Sequence, residues 1–231
     1  MRLESGASER AISVLRVGLE EQPVVIIDGF APDPDTLRAT AAGERFGSAA
    51  HHYPGIRAQL PATYFQPASA LLADVLGDVF GHYNRVDVVD ASFSIVTTPP
   101  AELSVRQRLP HCDAFALGRI ALLHYLAPDD GTGTAFFRHR STGFETIDES
   151  RAATYLETLD AQLRGGPGPP PRYIADDTDL FQRTALVQAR YNRALLYRSF
   201  VLHSGAIAAD AILSPDPSVG RLTVTAFLAA S

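Results

Sequence analysis

Leu109-Pro110-His111-Cys112-Asp113 is the stretch around which the chain is organised, read together with His203 and Arg221 far downstream. The stretch is expected to be a β-strand, on which successive side chains alternate faces, so His111 and Asp113 point one way and Cys112 the other. An imidazole and a carboxylate therefore converge. With His203, from the segment Ala194 to Gly205, they make a two-histidine, one-carboxylate set that suits a divalent metal such as non-haem Fe(II) and leaves coordination positions open. Taken alone, a His-x-Asp triplet is more often a satisfied pair than a metal site, and a lone buried histidine is usually hydrogen-bonded core; it is the combination that carries weight.

Working outward, the region after residue 85 is dominated by strand patterns. Val86-Asp87-Val88-Val89 and Ala91 to Val96 precede the breaker Pro99-Pro100. Ile120 to Leu126 and Thr134 to Phe137 flank the turn Pro128-Asp129-Asp130-Gly131, and Ala185 to Ala189, Ala194 to Tyr197, Val201 to His203 and Leu222 to Leu228 follow. No βαβ alternation repeats, so these strands form an antiparallel core with helices packed outside, a small barrel or two-sheet roll holding a ligand in its mouth.

The first third reads as mixed. Ala11, Ile12, Leu15 and Leu19 recur at helical spacing, which predicts a short amphipathic helix over residues 7–22, stopped by Pro23. Val24 to Asp28 is a β-branched run and a buried strand. Asp33-Pro34 pairs an N-cap with a first-turn proline and predicts a helix through Gly43. Gly43 to Pro67 has no period and reads as an irregular loop containing His51-His52-Tyr53, a polar and aromatic cluster suited to a solvated loop or to a pocket mouth. Ser69 to His82 and Glu149 to Leu163 carry helical patterns. Gly165 to Pro171 is too rich in Gly and Pro to be anything but a connector or the base of a lid.

A chain of 231 residues, 46% of them apolar, buries one substantial core, so a single domain over residues 1–231 is expected, with a helical embellishment (about residues 1–84) on the barrel. The net charge of −6 without a Lys/Arg cluster disfavours nucleic acid as a partner. Neither a membrane-spanning apolar run nor a signal-peptide pattern is present, and a soluble, cytoplasmic protein is expected. One cysteine excludes both an intramolecular disulfide and a thiolate zinc cluster, leaving imidazole and carboxylate as metal ligands. Gly131-Thr132-Gly133 lacks the rest of a dinucleotide or phosphate loop. Arg138-His139-Arg140 reads as a solvated strand end or, less often, as a contact for an anionic substrate.

Arg221-Leu222-Thr223 puts a guanidinium and a hydroxyl on one face at the start of an apolar strand. A structural salt bridge is the ordinary use of such an arginine; a bidentate clamp on a dicarboxylate is the functional one. The order His111-x-Asp113, His203, Arg221-x-Thr223 resembles the Fe(II)/2-oxoglutarate-dependent dioxygenases. His124-Tyr125-Leu126 through Gly131-Thr132-Gly133-Thr134-Ala135-Phe136 is similar to the corresponding segment of their prolyl-hydroxylase-like branch. Within that branch, from about Val24 to Phe227, the chain is most similar to small bacterial proteins of the DUF6445 type.

This resemblance implies a mainly β fold with flanking α-helices, the double-stranded β-helix of jelly-roll and cupin-like proteins. It implies His111, Asp113 and His203 as the ligands of Fe(II) and as the catalytic centre, and Arg221, Thr223 and Tyr125 as contacts to 2-oxoglutarate. Dioxygen is the other cosubstrate. The implied activity is hydroxylation of a small molecule, amino acid or peptide with decarboxylation of 2-oxoglutarate to succinate; a carboxylate at Asp113, which related halogenases lack, argues against halogenation. The chain departs from many relatives in a longer interval before Arg221, containing Ser214-Pro215-Asp216-Pro217. Two alternatives remain on the residues alone: a binding protein with a vestigial triad, and a zinc-type hydrolase using the same ligands.

Overall fold

The computed structural model describes residues 10–49, 53–82, 85–127 and 132–231. His51, His52 and the Pro128 to Gly131 turn lie outside the described residues. In chain order the elements are β1 (Ala11–Val17), β2 (Gln22–Asp28), α1 (Pro34–Gly43), β3 (Gly47–Ser48), β4 (Gly55–Gln59), α2 (Ser69–Asp78), β5 (Val86–Val96), β6 (Arg119–Tyr125), β7 (Gly133–His139), α3 (Glu149–Gly165), β8 (Phe181–Gln188), β9 (Arg193–Arg198), β10 (His203–Ala206) and β11 (Leu222–Ala230). Antiparallel pairing joins them into an eight-stranded sheet, β1-β2-β9-β6-β11-β5-β4-β3, and a three-stranded sheet, β10-β7-β8. The protein is thus mainly β, with few helices and two antiparallel sheets in the jelly-roll manner.

Strict alternation along the strands sorts the large sheet into two faces. Ile120, Leu122, Val224, Ala226, Phe93, Ile95 and Leu196 face outward, where α1 and α2 cover them through Ala41, Leu72, Val75 and Leu76. The opposite face carries Ala121, Tyr125, Val24, Leu195 and Tyr197 and packs on Phe136 and Val187 of the small sheet. Behind the small sheet, α3 presents Tyr155 and Leu159 to Ala135, Phe137 and Phe181. Asp148 starts α3 by accepting the backbone N–H groups of Ser150 and Arg151, and Asp33 starts α1 by accepting that of Thr36.

Two expectations of the sequence are corrected. Residues 11–17 are the edge strand β1, in register with β2 from Ala11 opposite Asp28 to Val17 opposite Gln22. The helical spacing there is misleading because it has no face to bury: Ile12, Leu15 and Leu19 are all exposed. A turn with positive φ at Gly18 and Glu21 reverses the chain. The buried Glu145 carboxylate then accepts the N–H groups of Leu19 (3.0 Å) and Glu20 (2.9 Å), fastening that turn to the barrel. Residues 43–67, expected to be an irregular loop, contribute β3 and β4, and β4 pairs with β5 from Gly55 opposite Val96 to Gln59 opposite Ser92. The described residues among the first 84 therefore bring four strands to the main sheet as well as two helices. Among the described residues no helix is long and apolar enough to cross a membrane.

Candidate metal and cosubstrate site

The 109–113 stretch is not a strand. His111 forms a single antiparallel bridge to His203 at the start of β10. The His111 N–H donates to the His203 carbonyl at 2.8 Å and the His203 N–H returns to the His111 carbonyl at 2.9 Å. Two residues on, the Asp113 N–H is held by the Ser199 carbonyl at 2.8 Å, at the end of β9. Local extended geometry still imposes the expected alternation. His111 and Asp113 converge while Cys112 turns away to pack with the α3 cluster. Burial, and after it the Asp113 carboxylate, pushes the Cys112 thiol up to about 12, so it stays protonated.

His203 lies opposite Phe136 of β7 and therefore faces the large sheet. Its Nε2 is 3.5 Å from Asp113 Oδ2, and His111 Nε2 is 3.7 Å from Asp113 Oδ1. The imidazole ring centres are 4.6 Å apart. One ligand atom from each of the three residues lies within 4.8 Å of the others. The His203 Nδ1 is 2.9 Å from the Val201 carbonyl, which can only accept, so the proton sits on Nδ1 and the Nε2 lone pair points at the centre of the cluster. These donors fit a divalent cation: two imidazoles and one carboxylate on one side of a common point. The His203 side chain is 7% exposed and that of His111 54%, so the cluster opens to solvent on the His111 side.

Tyr197 of β9 closes the inner wall, its ring 4.8 Å from that of His203 and edge-on to Phe136 at 5.3 Å. Burial first, then the nearby Asp113 carboxylate, raises its phenol well above the ordinary range and keeps it neutral. Tyr197 is not legible as a site residue from the sequence. Its only signal is parity, since Leu195 and Tyr197 share the inner face of a strand whose end carries Ser199.

The large sheet carries the second half of the site on the same inner face. Arg57, Ser94, Thr223 and Tyr125 stand in one row across β4, β5, β11 and β6. Arg221, two positions from Thr223, shares their face. Arg221 is 6% exposed, and among the described residues it meets only neutral oxygens, Thr132 Oγ1 through Nε and the Gly133 carbonyl through Nη2, both at 3.2 Å. Its guanidinium carbon is 5.5 Å from the centre of the Tyr125 ring. The Tyr125 hydroxyl is 2.7 Å from Thr134 Oγ1, and Thr223 Oγ1 donates to the Ser94 carbonyl at 3.2 Å. A cation this enclosed has strong reason to take an anion. Arg221, Thr223 and Tyr125 are thus gathered into one buried polar group.

The Arg138-His139-Arg140 triplet has structural uses. Arg138 pairs with Glu145, Arg140 with Asp177 at 2.9 Å, and the buried His139 ring bonds Thr142 and Gln162. The longer interval before Arg221 forms turns, with Asp216 accepting from Ser218 and Gly220 before the chain enters β11.

The sequence pattern of the family described as "Family of unknown function (DUF6445)" matches residues 8–228. No curated protein matches the chain significantly. Among solved structures, HygX from Streptomyces hygroscopicus with nickel and 2-oxoglutarate bound is similar at 12% identity, with a TM-score of 0.51 over 92% of this chain and 84% of HygX. The non-haem α-ketoglutarate-dependent epimerase SnoN from nogalamycin biosynthesis aligns at 12% identity and a TM-score of 0.49, over 90% of this chain and 78% of SnoN. At such identities the likeness to HygX is one of fold.

Proposed function

We propose that this chain, which belongs to the DUF6445 family, is an Fe(II)- and 2-oxoglutarate-dependent oxygenase that hydroxylates a small-molecule, amino-acid or peptide substrate. The observation that carries the reading is the presence on one barrel interior of two features that need each other: the His111, Asp113, His203 cluster and the buried Arg221. A hydrolytic zinc site would use the first and leave the second without a task.

Bound together, iron, dioxygen and 2-oxoglutarate supply the oxidising chemistry: substrate C–H, dioxygen and 2-oxoglutarate become substrate C–OH, succinate and carbon dioxide. The chain's own residues determine where that happens. His203, His111 and Asp113 would hold the iron through two imidazoles and a carboxylate, a set that would leave room for the keto-acid end of 2-oxoglutarate and for dioxygen. Arg221 supplies a planar fork for the distal carboxylate, oriented by the Tyr125 ring and by Thr132 and Gly133. Tyr197 and Phe136 exclude water from the inner wall, and substrate approaches from the exposed His111 side. A cytoplasmic location goes with this reading, since reduced iron and 2-oxoglutarate are both available there.

The test is anaerobic titration of 2-oxoglutarate into the Fe(II)-loaded protein, followed by its metal-to-ligand absorption band, and then succinate release in air with a panel of metabolites. A saturable band and iron-dependent succinate are expected. Metal binding with neither band nor succinate overturns the reading.

A further inference from the structure

Tyr53, just ahead of β4, carries a buried hydroxyl for which the described residues provide no hydrogen-bond partner. Such groups are rare, because leaving a hydroxyl buried and unpaired is costly. Other tyrosines around Arg221 differ: Tyr125 is bonded to Thr134, and Tyr173 donates to the Thr98 carbonyl at 2.7 Å. Tyr53 is two and four residues from Gly55 and Arg57, whose register on β5 sets them opposite Val96 and Ser94. Its ring packs against the cluster of Val96, Leu103, Tyr173 and Ile207, which brings it to the neighbourhood of Arg221 and Thr223. The Arg57 guanidinium, 4.7 Å from the centre of the Tyr53 ring, holds the ring in place. The hydroxyl lies toward the side chains of Ser94 and Thr223, whose own hydroxyls bond Thr225 and the Ser94 carbonyl, and within the field of the Arg221 cation.

We propose that Tyr53 is a positioning residue for the cosubstrate, its hydroxyl donating to the same carboxylate that Arg221 pairs with. The inference rests on the proposed function and assigns to the β3–β4 hairpin a part in selecting a 2-oxo acid that carries a second carboxylate. An unpartnered donor beside an arginine without an acidic neighbour among the described residues is the arrangement a carboxylate completes: the guanidinium fork fills two acceptor positions and the phenol a third. Gly55 is what allows the hairpin to lie this close. A Cβ there would collide with the Ile95 carbonyl of β5.

The experiment compares wild type with Tyr53→Phe, both Fe(II)-loaded and anaerobic, titrated with 2-oxoglutarate and separately with pyruvate, which has the keto-acid end and no distal carboxylate. Loss of one charge-assisted hydrogen bond should weaken 2-oxoglutarate binding by about tenfold or more, and leave pyruvate binding unchanged. Thermal unfolding supplies a readout that a merely structural role would not produce. Without 2-oxoglutarate Tyr53→Phe should be as stable as wild type or more so, since an unpaired buried hydroxyl is removed; with saturating 2-oxoglutarate it should gain less than wild type. Equal 2-oxoglutarate affinity in the two proteins, or equal weakening for both oxo acids, overturns the role of Tyr53 while the oxygenase reading stands. A wild type that binds neither oxo acid overturns both.

Discussion

The main chains of His111 and His203 exchange a reciprocal pair of hydrogen bonds, 2.8 and 2.9 Å long, and this is how residues from distant parts of the chain set their imidazoles side by side. Directly opposed residues in an antiparallel bridge project to the same face. The two imidazoles of the candidate site are therefore positioned by backbone pairing, and Asp113 is fixed beside them by its own bond to Ser199.

Removing a ligand should abolish iron retention without unfolding the protein. His111→Ala is the cleanest case, because its side chain is more than half exposed and contributes little to the core. His203→Ala should lose iron equally and in addition lower stability, since a buried ring packed on Tyr197 is replaced by a void. Cys112→Ser should keep iron affinity near wild type. Metal stoichiometry after anaerobic reconstitution, with thermal unfolding of the apo proteins, checks all three.

Arg221→Met should weaken 2-oxoglutarate binding by roughly 2–5 kcal/mol, the cost of leaving the partner charge buried and unpaired. Iron affinity should barely change. Arg221→Lys should be intermediate, since charge survives and the fork does not. Wild-type 2-oxoglutarate affinity in Arg221→Met would assign the carboxylate to another residue.

Acid should destabilise the protein through His124. That ring is fully buried between the Tyr64 hydroxyl (2.9 Å, to Nδ1) and Asn192 Oδ1 (3.0 Å, from Nε2), and burial drives its pKa down to about 4 against the opposing bond to Asn192. In the unfolded chain a histidine titrates near 6.5. Between about pH 6.5 and 4 the unfolded state therefore binds a proton that the folded state refuses, and stability falls as pH is lowered through that window. By pH 4.5 the loss should be roughly 2–3 kcal/mol, with none above pH 7. Burial lowers His82 and His139 in the same direction. Urea midpoints measured across pH should show a shallower slope in His124→Phe, whatever its absolute stability; an unchanged slope would remove His124 from the account.

Glu145→Ala should cost roughly 3 kcal/mol. The carboxylate is nearly enclosed, pairs with Arg138, and accepts two backbone N–H groups of the β1–β2 turn, which its loss leaves without partners. Hydrogen exchange should locate the damage: amides of residues 18–21 and of β1 should open first, while protection at β6 and β11 persists. Uniform loss of protection would show that the turn is not an independently fastened unit.

How much was legible follows from range. Val24 to Asp28, Ile120 to Leu126 and Leu222 to Leu228 were readable as strands because each buries both faces, α1 because Asp33 caps it locally, and α3 from its helical pattern. Residues 11–17 were misread because an edge strand with two exposed faces leaves no alternation to detect, and helical spacing arose there by chance. The β3–β4 hairpin was missed for a related reason: its pairing with β5 depends on a close backbone approach at Gly55, and no local pattern records that.

The sequence by itself determined the identity and order of the groups: two histidines, one carboxylate, and an arginine followed two residues later by a threonine, on a strand-rich chain with one cysteine. The alternation of His111, Cys112 and Asp113 needed nothing more, because side-chain direction in extended backbone is a local property. Only the tertiary structure decided that His203 meets His111 across a two-bond bridge, that Arg221 is buried among neutral oxygens, and that Tyr53 reaches the same neighbourhood from a hairpin more than a hundred residues earlier. Those are relations between segments brought together by strand register, and register is set by how whole faces bury one another, not by any one stretch.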